Sequence, residues 1–328
     1  MNPNWLAMAG TLGVRLARMV AVVLLIAVFN FLLVRAAPGD PALVIAGQSG
    51  ATDQAFLDRV RAEYGLDQPI ASQLTTYLGK VARLDLGFSY RQQRPVLDVI
   101  LERMPATLLL TGTAFLISLL GGIVLGSLAG VRAGKLSDTL ITIVSLVVYA
   151  TPVFWLGLML VLLFSVQLGW LPAFGFGTIG SGLTGAAAVL DKVQYLVLPA
   201  ITLGMLYLAI YARLMRASII EVSHQDYVKT ARAKGASESR VLWHHMLRNA
   251  LLPVVTMAGM QAGTLIGGSV VIETVFAWPG LGRLTYEAVL QRDYQVMLGV
   301  FLVLSVIVIF FNWLTDLLYR VIDPRIAR

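Results

Sequence analysis

The chain has 328 residues, of which 25 are Lys or Arg and 18 are Asp or Glu; charge makes up 13% of it and apolar types 58%. Water-soluble domains carry about 25% charge, so a soluble enzyme, a secreted disulfide scaffold and a disordered tail are excluded together. With no cysteine, there is also no disulfide and no thiolate metal site.

The charges are segregated: none occurs in 19–34, 104–131, 139–190, 193–212, 249–272 or 294–315. A hydrocarbon core of about 30 Å takes about 20 helical residues, so five of these runs are long enough to span it and the first is marginal. Each should be a helix, because backbone groups in lipid must be satisfied within their own segment. The fold class expected is therefore an all-α integral membrane protein with six transmembrane helices. Span one, about Arg18 to Arg35, can snorkel both arginines to the interfaces. Its basic flank also resembles a signal peptide, but Val34-Arg35-Ala36 is a poor cleavage site and several spans follow.

Next comes a long segment, 36–104. Thr52–Tyr64 reads as a helix with Asp53 in its first turn, Arg59 and Arg61 late, and Gly65 as its stop. A second helix is expected from Pro69 to Arg83. Its apolar stripe (Ile70, Leu74, Tyr77, Leu78, Val81) is too small for a core of its own, so the segment should rest on the spans or on a partner, as a passive cap or a docking surface. Span two carries Gly122, Gly126 and Gly130, and span five carries Gly259, Gly263 and Gly267. Glycines four apart form one helix face that another backbone can approach, either within the chain or along a pathway or subunit interface. The 52-residue run divides into one helix over 139–166, kinked at Pro152, and a loop over 169–185 rich in glycine.

The loop 213–248 is the most informative stretch. Ser223-His-Gln-Asp226 fits a capping box, and Gly235 is placed to end a short helix over 224–234 that puts Tyr227 and Ala231 four apart on one face. A second helix starts near Ser237 and leads into span five, with a kink at Pro253. A stiff helix held between two spans suits protein docking, although Lys229, Arg232, Lys234 and Arg240 also suit an anionic lipid surface. After span five, Trp278-Pro-Gly-Leu-Gly282 breaks the helix into a tight turn, and Leu284–Leu290 is a short amphipathic piece. Glu273, the one acid at the edge of a long apolar helix, is a functional candidate by default or a solvated interfacial acid.

Loop charge sets orientation. Segments 1–18, 132–138, 213–248 and 316–328 hold 14 Lys and Arg, against 3 in 167–192 and 273–293. Both termini are thus expected in the cytoplasm, and the net charge of +7 follows from topology without a nucleic-acid partner. No phosphate-binding G-x-x-x-x-G-K-[ST] loop, nucleophile elbow or H-E-x-x-H pattern is present, and His244 and His245 fall on different helix faces. No catalytic residue, metal site or cofactor is expected. A transport subunit driven from outside its own sequence fits these features.

The motifs in order are Pro38-Gly-Asp-Pro41, Tyr64-Gly-Leu-Asp-Gln-Pro69, Asp85-Leu-Gly-Phe-Ser89, Asp226-Tyr-Val-Lys-Thr-Ala-Arg-Ala-Lys-Gly235, Arg248-Asn-Ala-Leu-Leu-Pro253, Glu273 through Arg283, and Asp323-Pro-Arg325. Over nearly its whole length the chain resembles the inner-membrane permease of binding-protein-dependent ABC importers, in the branch that carries dipeptides, oligopeptides, glutathione and nickel. The resemblance implies a type I importer permease in a bacterial or archaeal cytoplasmic (inner) membrane. Its implied partners are a second homologous permease, two cytoplasmic ATP-binding subunits and an extracytoplasmic solute-binding protein. It implies four regions: 1–35 with span one, the extracytoplasmic segment 36–104, the permease core 105–316, and the cytoplasmic end 317–328. The helix in loop 213–248 would be the coupling helix, with Asp226, Tyr227, Lys229, Thr230, Ala231, Arg232 and Gly235 at the ATPase contact. Lys229, Thr230 and Ala231 occupy the Glu-Ala-Ala triplet of the general motif, so Lys229 replaces the acid. The 18-residue interval from Gly235 to Pro253 is five longer than in the general motif and similar to the peptide branch. Gly259, Gly263, Gly267 and Glu273 are candidates for the translocation path, and Trp278, Pro279, Gly280 and Arg283 for the face toward the binding protein. Peptide is the expected solute, with nickel or glutathione as alternatives. An ion-coupled secondary transporter would need an ion site inside the spans, a membrane enzyme would need a catalytic constellation, and a non-transport adaptor is the remaining rival.

Overall fold

The computed structural model describes residues 4–36, 53–64 and 67–322, nearly all in helices. Pro38–Pro41, Thr52, the Gly65 stop and Asp323–Arg325 lie outside the described residues. The chain forms two compact units, one built from the chain up to Met104 with Leu284–Ile309, the other from Pro105–Arg283 with the chain from Phe310.

The first unit begins with α1 (Asn4–Ala36), whose apolar stretch Ala17–Leu33 is shorter than the other candidate spans. Helix α2 (Gln54–Tyr64) starts one residue after Asp53, whose carbonyl accepts the Leu57 N–H at 3.2 Å, so Asp53 precedes the first turn and does not lie in it. Helix α3 (Ile70–Ala82) follows Pro69. Of its stripe, Leu74, Tyr77, Leu78 and Val81 are half-buried and Ile70 is exposed. Tyr77 meets Phe31 of α1 at a ring separation of 5.8 Å. The Asp85–Ser89 motif leads into a two-residue hairpin, β1 (Phe88–Ser89) antiparallel to β2 (Arg94–Pro95), which periodicity had no means to signal. Buried Ser89 donates to Asp293, whose other oxygen accepts the Val296 N–H and caps the last helix.

The second unit holds most of the apolar helices. Helix α4 (Val96–Val131) starts in the first unit and continues into the second, α5 is Leu136–Ala150, and α6 is Val153–Leu160, which runs on as a π-helical stretch to Gln167. The expected kink at Pro152 is a full break: α5 and α6 differ in direction by 110°. Thr151 and Pro152 both adopt extended ψ values, 132° and 129°. The pyrrolidine ring disfavours α geometry in the residue before it and offers no N–H to carry the ladder across. The glycine-rich loop follows as expected, with Gly169, Gly175, Gly180, Gly182 and Gly185 all at positive φ.

Helix α7 (Gly185–Ser223) is 39 residues long, about 58 Å at 1.5 Å per residue, roughly twice what a bilayer core requires. Then come α8 (Asp226–Ala233) and α9 (Glu238–Arg240), which passes through a π-helical stretch, Val241–Met246, into α10 (Leu247–Val275). The bend of 59° in this run falls between Gln261 and Gly263 and not at Pro253, where the helix continues. The bend sits among the glycines of the helix, where the backbone is least stiffened by side chains. Helix α11 (Leu281–Gln291) extends the expected amphipathic piece, and α12 (Tyr294–Ile322) completes the described chain. By length and composition α4, α7 and α12 are each long and apolar enough to cross a membrane, five in all when each bent pair counts as one span; Ala17–Leu33, expected as span one, is a shorter apolar stretch.

Two buried apolar clusters fill this unit. One joins α4, α7 and the end of α10 around Leu110, Leu203, Ile272, Phe276 and Trp278. The other joins α7, α8 and the start of α10 around Tyr211, Met215, Ile219, Val228 and Val241. Each cluster supports one of the two places where candidate functional residues gather.

Candidate functional site

The first place is α8. The capping box expected at Ser223–Asp226 does not form. The long helix α7 runs through Ser223, whose hydroxyl donates back to the Ile220 carbonyl at 2.7 Å, and α8 begins at Asp226 behind Gln225, with no side-chain cap. The expected C-terminus does form: Gly235 sits at φ +81°, its N–H bonds Arg232 O at 2.9 Å, and the Ala236 N–H bonds Ala231 O at 3.2 Å. This closes the helix through a left-handed glycine. Ser237 then caps α9, accepting the Arg240 N–H at 3.5 Å.

What α8 presents follows from which face it spends on packing. Val228 is fully buried and Ala231 nearly so, both against α7 and the π-helical stretch before α10. Ala231 therefore belongs to the mount of the helix, while Tyr227 is 42% exposed; the two do not share a free face. The Tyr227 hydroxyl accepts from Asn249 Nδ2 at 2.7 Å, tying α8 to α10. Arg232 forks onto Glu238 with bonds of 2.9 and 3.2 Å, tying it to α9. Lys229 pairs with Asp226 at 3.0 Å on the helix's own surface, an exposed contact worth at most about 1 kcal/mol. The ridge left free is Asp226, Lys229, Thr230 and Ala233, all exposed. A cleft of about 400 Å³ lies beside α8, lined by Gly130, Ala133, Ser223, Arg232, Glu238 and Leu242 among others.

The second place is the turn after α10. Helix α10 ends at Val275, Ala277 takes φ +52°, and the Trp278 N–H returns to Glu273 O at 2.8 Å. The chain then wraps around the Glu273 carboxylate. Thr107 donates to it at 2.8 Å, Ser269 at 3.1 Å and the Arg283 N–H at 3.0 Å. A Cβ at Gly280 would collide with the carboxyl group, and one at Gly282 would lie 2.9 Å from Oε2 and 2.6 Å from the Val270 Cα. Both glycines are needed for the turn to close over the acid. Thr107 also accepts the Leu281 N–H at 2.7 Å, and the Trp278 indole donates to Ala106 O at 2.8 Å. Glu273 is fully buried, so it is not a solvated interfacial acid. Trp278 is fully buried as well, edge-on to Phe176 with ring centroids 4.8 Å apart. Trp278 and Gly280 are thus interior, and of the four residues offered to a binding protein only Pro279 and Arg283 keep partial exposure.

The glycines of α10 separate. Gly259 O accepts from Thr315 at 3.1 Å and borders a cavity of about 230 Å³ among Phe115, Val255, Leu265 and Phe311. Gly263 is buried, and Gly267 is exposed with nothing within 4 Å of where its Cβ would stand. Exposed with Gly267 along that side of α10 are Thr256, Met260, Thr264 and Val271.

One arrangement was not foreseen. Asp138, in the first turn of α5, is 3% exposed and bonds bidentately to Arg216 of α7. It also accepts the Gly134 N–H at 2.9 Å. The signal lay in the flanks of the charge-free runs: Asp138 is the one acid in the basic turn 132–138, and Arg213 and Arg216 are the first charges after the 20-residue neutral stretch 193–212.

Comparison with known proteins is decisive. The family described as binding-protein-dependent transport system inner membrane component matches residues 122–328, and its N-terminal counterpart matches 8–111. The chain belongs to that family. The di/tripeptide transport system permease protein DppB of Pseudomonas aeruginosa is 40% identical over 315 residues, covering 92% of this chain and 94% of its own. The glutathione transport system permease protein GsiC of Escherichia coli K12 is 41% identical over 312 residues, covering 95% and 97%. Among solved structures, the inward-facing MetNI methionine ABC transporter superposes with a TM-score of 0.55 at 20% identity, covering 69% of this chain and 96% of that one. That likeness concerns the fold. This chain is a permease component of a binding-protein-dependent ABC importer, a membrane subunit of a kind that is not itself catalytic.

Proposed function

We propose that this permease carries short peptides inward and takes its work from cytoplasmic ATP-binding subunits through α8. The observation that carries the reading is the mount of α8. An eight-residue helix is clamped by its buried face, by Tyr227–Asn249 and by Arg232–Glu238, with a free ridge at Asp226, Lys229, Thr230 and Ala233. A helix fixed on one face and bare on the other transmits a push to the helices it is fixed to. The basic excess of 213–248 supports a cytoplasmic position for it, and with it cytoplasmic termini and an outer location for 36–104. Lys229 stands where the general coupling motif has an acid, so a salt bridge from that acid to the ATPase is not carried over to this chain.

The solute class follows the relatives, one named for di- and tripeptides and one for glutathione, itself a tripeptide with one γ-linkage. The cycle is alternating access: ATP draws the two ATPases together, the coupling helices of this chain and of a second homologous permease follow, and the spans open toward a docked binding protein. The exposed side of α10 around Gly267 supplies this chain's half of the path, and Pro279 and Arg283 stand nearest the binding protein. The test is reconstitution with the two ATPases, the second permease and the binding protein. Uptake of labelled di- or tripeptide is expected only with ATP and the binding protein together, and Thr230→Cys is expected to cross-link to an ATPase subunit. Uptake by this chain alone on an ion gradient would overturn the reading, and uptake of nickel in place of peptide would overturn the solute class.

A further inference from the structure

Helix α7 leads into α8 through only two residues, His224 and Gln225, so whatever moves α8 acts first on the end of α7. Two arginines three apart on α7 grip α5. Arg216 forks onto buried Asp138, and Arg213 lies over the Tyr149 ring at 4.6 Å from its centroid. Asp138 and Tyr149 are eleven residues apart on α5, about 16 Å along its axis. Two grips that far apart resist tilting as well as sliding, which one contact cannot do. Asp138 is fixed in turn by the Gly134 N–H, and Thr142 approaches it at 3.4 Å, so the acid cannot swing to follow a retreating guanidinium. Helix α5 is also the half of a broken span that lies ahead of the 110° turn at Pro152, so its direction is not set by α6.

We propose that the Asp138–Arg216 pair is a positioning strut that makes α5 move as one body with α7 and the coupling helix α8, so that work delivered at α8 reaches the broken span. The proposal rests on the reading of α8 as the ATPase contact, and the experiment separates the two. With Asp138 buried and Arg216 half-buried, removing one partner strands the acid and is costlier than neutralising both, so the informative variant is the double one, Asp138→Asn with Arg216→Gln.

Spin labels at Lys234, exposed directly after α8, and at Val147 on the exposed side of α5 read the strut in the assembled importer, without and with trapped ATP. In the otherwise unchanged protein the distance between labels stays constant within about 2 Å, whereas in the double variant it shifts or broadens by about 4 Å or more, the scale of a helix displacement. Stimulation of ATP hydrolysis by the binding protein falls at least about fivefold in the double variant, well beyond a peripheral contact. A label distance that changes in the unaltered protein on ATP trapping overturns the strut, and so does a double variant that keeps both the fixed distance and full stimulation. Where the double variant does not assemble, Arg216→Lys keeps the charge but loses the fork; reduced stimulation supports the strut and unchanged stimulation overturns it. Cross-linking of Thr230→Cys to an ATPase reports separately on α8. If cross-linking succeeds while the double variant keeps both the fixed distance and full stimulation, the strut alone fails; if no cross-link forms, the reading of α8 fails.

Discussion

Helices α4 and α10 carry the same sequence pattern, three glycines four residues apart, and use it in opposite ways. A Cβ at Gly122, Gly126 or Gly130 would come within 2.5 to 2.7 Å of the Cβ atoms of Tyr211, Met215 and Ile219. Those three are also four apart, so α7 places one large residue against each gap of α4. In α10 the bend between Gln261 and Gly263 divides the triplet: Gly259 borders a cavity, Gly263 is buried and Gly267 is open. The spacing announces a face without bulk, and the opposing helix decides what the face is for. A matched column of large side chains makes it a weld, whereas in α10 the bend splits the face and leaves open space at Gly267 alone of the three.

The comparison breaks most visibly at Gly126. There an added Cβ meets the Ala212 carbonyl oxygen at 2.5 Å as well as Met215, so the obstacle includes backbone that cannot turn aside. Gly126→Val is expected to cost about 3 kcal/mol or more, seen as loss of the purified importer complex or a large drop in its melting temperature. Recovery of normal complex would mean that α4 and α7 have room to part. A second and somewhat smaller effect is expected at Glu273, which serves the turn after α10 as the matched column serves α4. Glu273→Ala strands the Thr107 hydroxyl and the Arg283 N–H in the interior, while Ser269 keeps Ile266 O as its acceptor, about 2 to 4 kcal/mol in all given roughly 1–3 for each unsatisfied group and partial relaxation. Glu273→Gln keeps an acceptor and should lie between, by melting in the same detergent. Trp278→Phe loses the bond to Ala106 O and leaves part of the indole's space empty, for about 1 to 2 kcal/mol. If it melts like the parent protein, the indole N–H has found another partner.

The spans were legible because lipid forbids unpaired charge, and the C-terminus of α8 because Gly235 meets a local need for a left-handed residue. What stayed hidden depends on partners distant in sequence. Ser223 reads as a cap only if it opens a helix, and instead it is the last residue of α7, which stays packed against α4 as far as Ile219. Pro152 permits either a kink or a break, and the extended Thr151 decides for the break. Trp278 looks like an interfacial aromatic until Ala106, 172 positions earlier, supplies its acceptor. The Asp138–Arg216 pair likewise joins residues 78 apart, and the charge pattern marks each of them without marking the bond.

The smallest expected effect on stability is the one that separates the two triplets most cleanly. Gly267 has open space where its Cβ would stand, and Ala is favoured over Gly in a helix by about 1 kcal/mol, so Gly267→Ala should assemble and melt as the parent protein does or slightly better. The same change at Gly126 should not. Enlarging the residue further, in Gly267→Leu, extends a side chain from an exposed position, so the complex should again form in normal yield. If the face carrying Thr264, Gly267 and Val271 borders the solute path, the leucine narrows that path and peptide uptake falls in a complex that is otherwise intact. If uptake and assembly both stay at parental levels, lipid covers that face, and the open glycine is a place where nothing was required in place of a place kept clear.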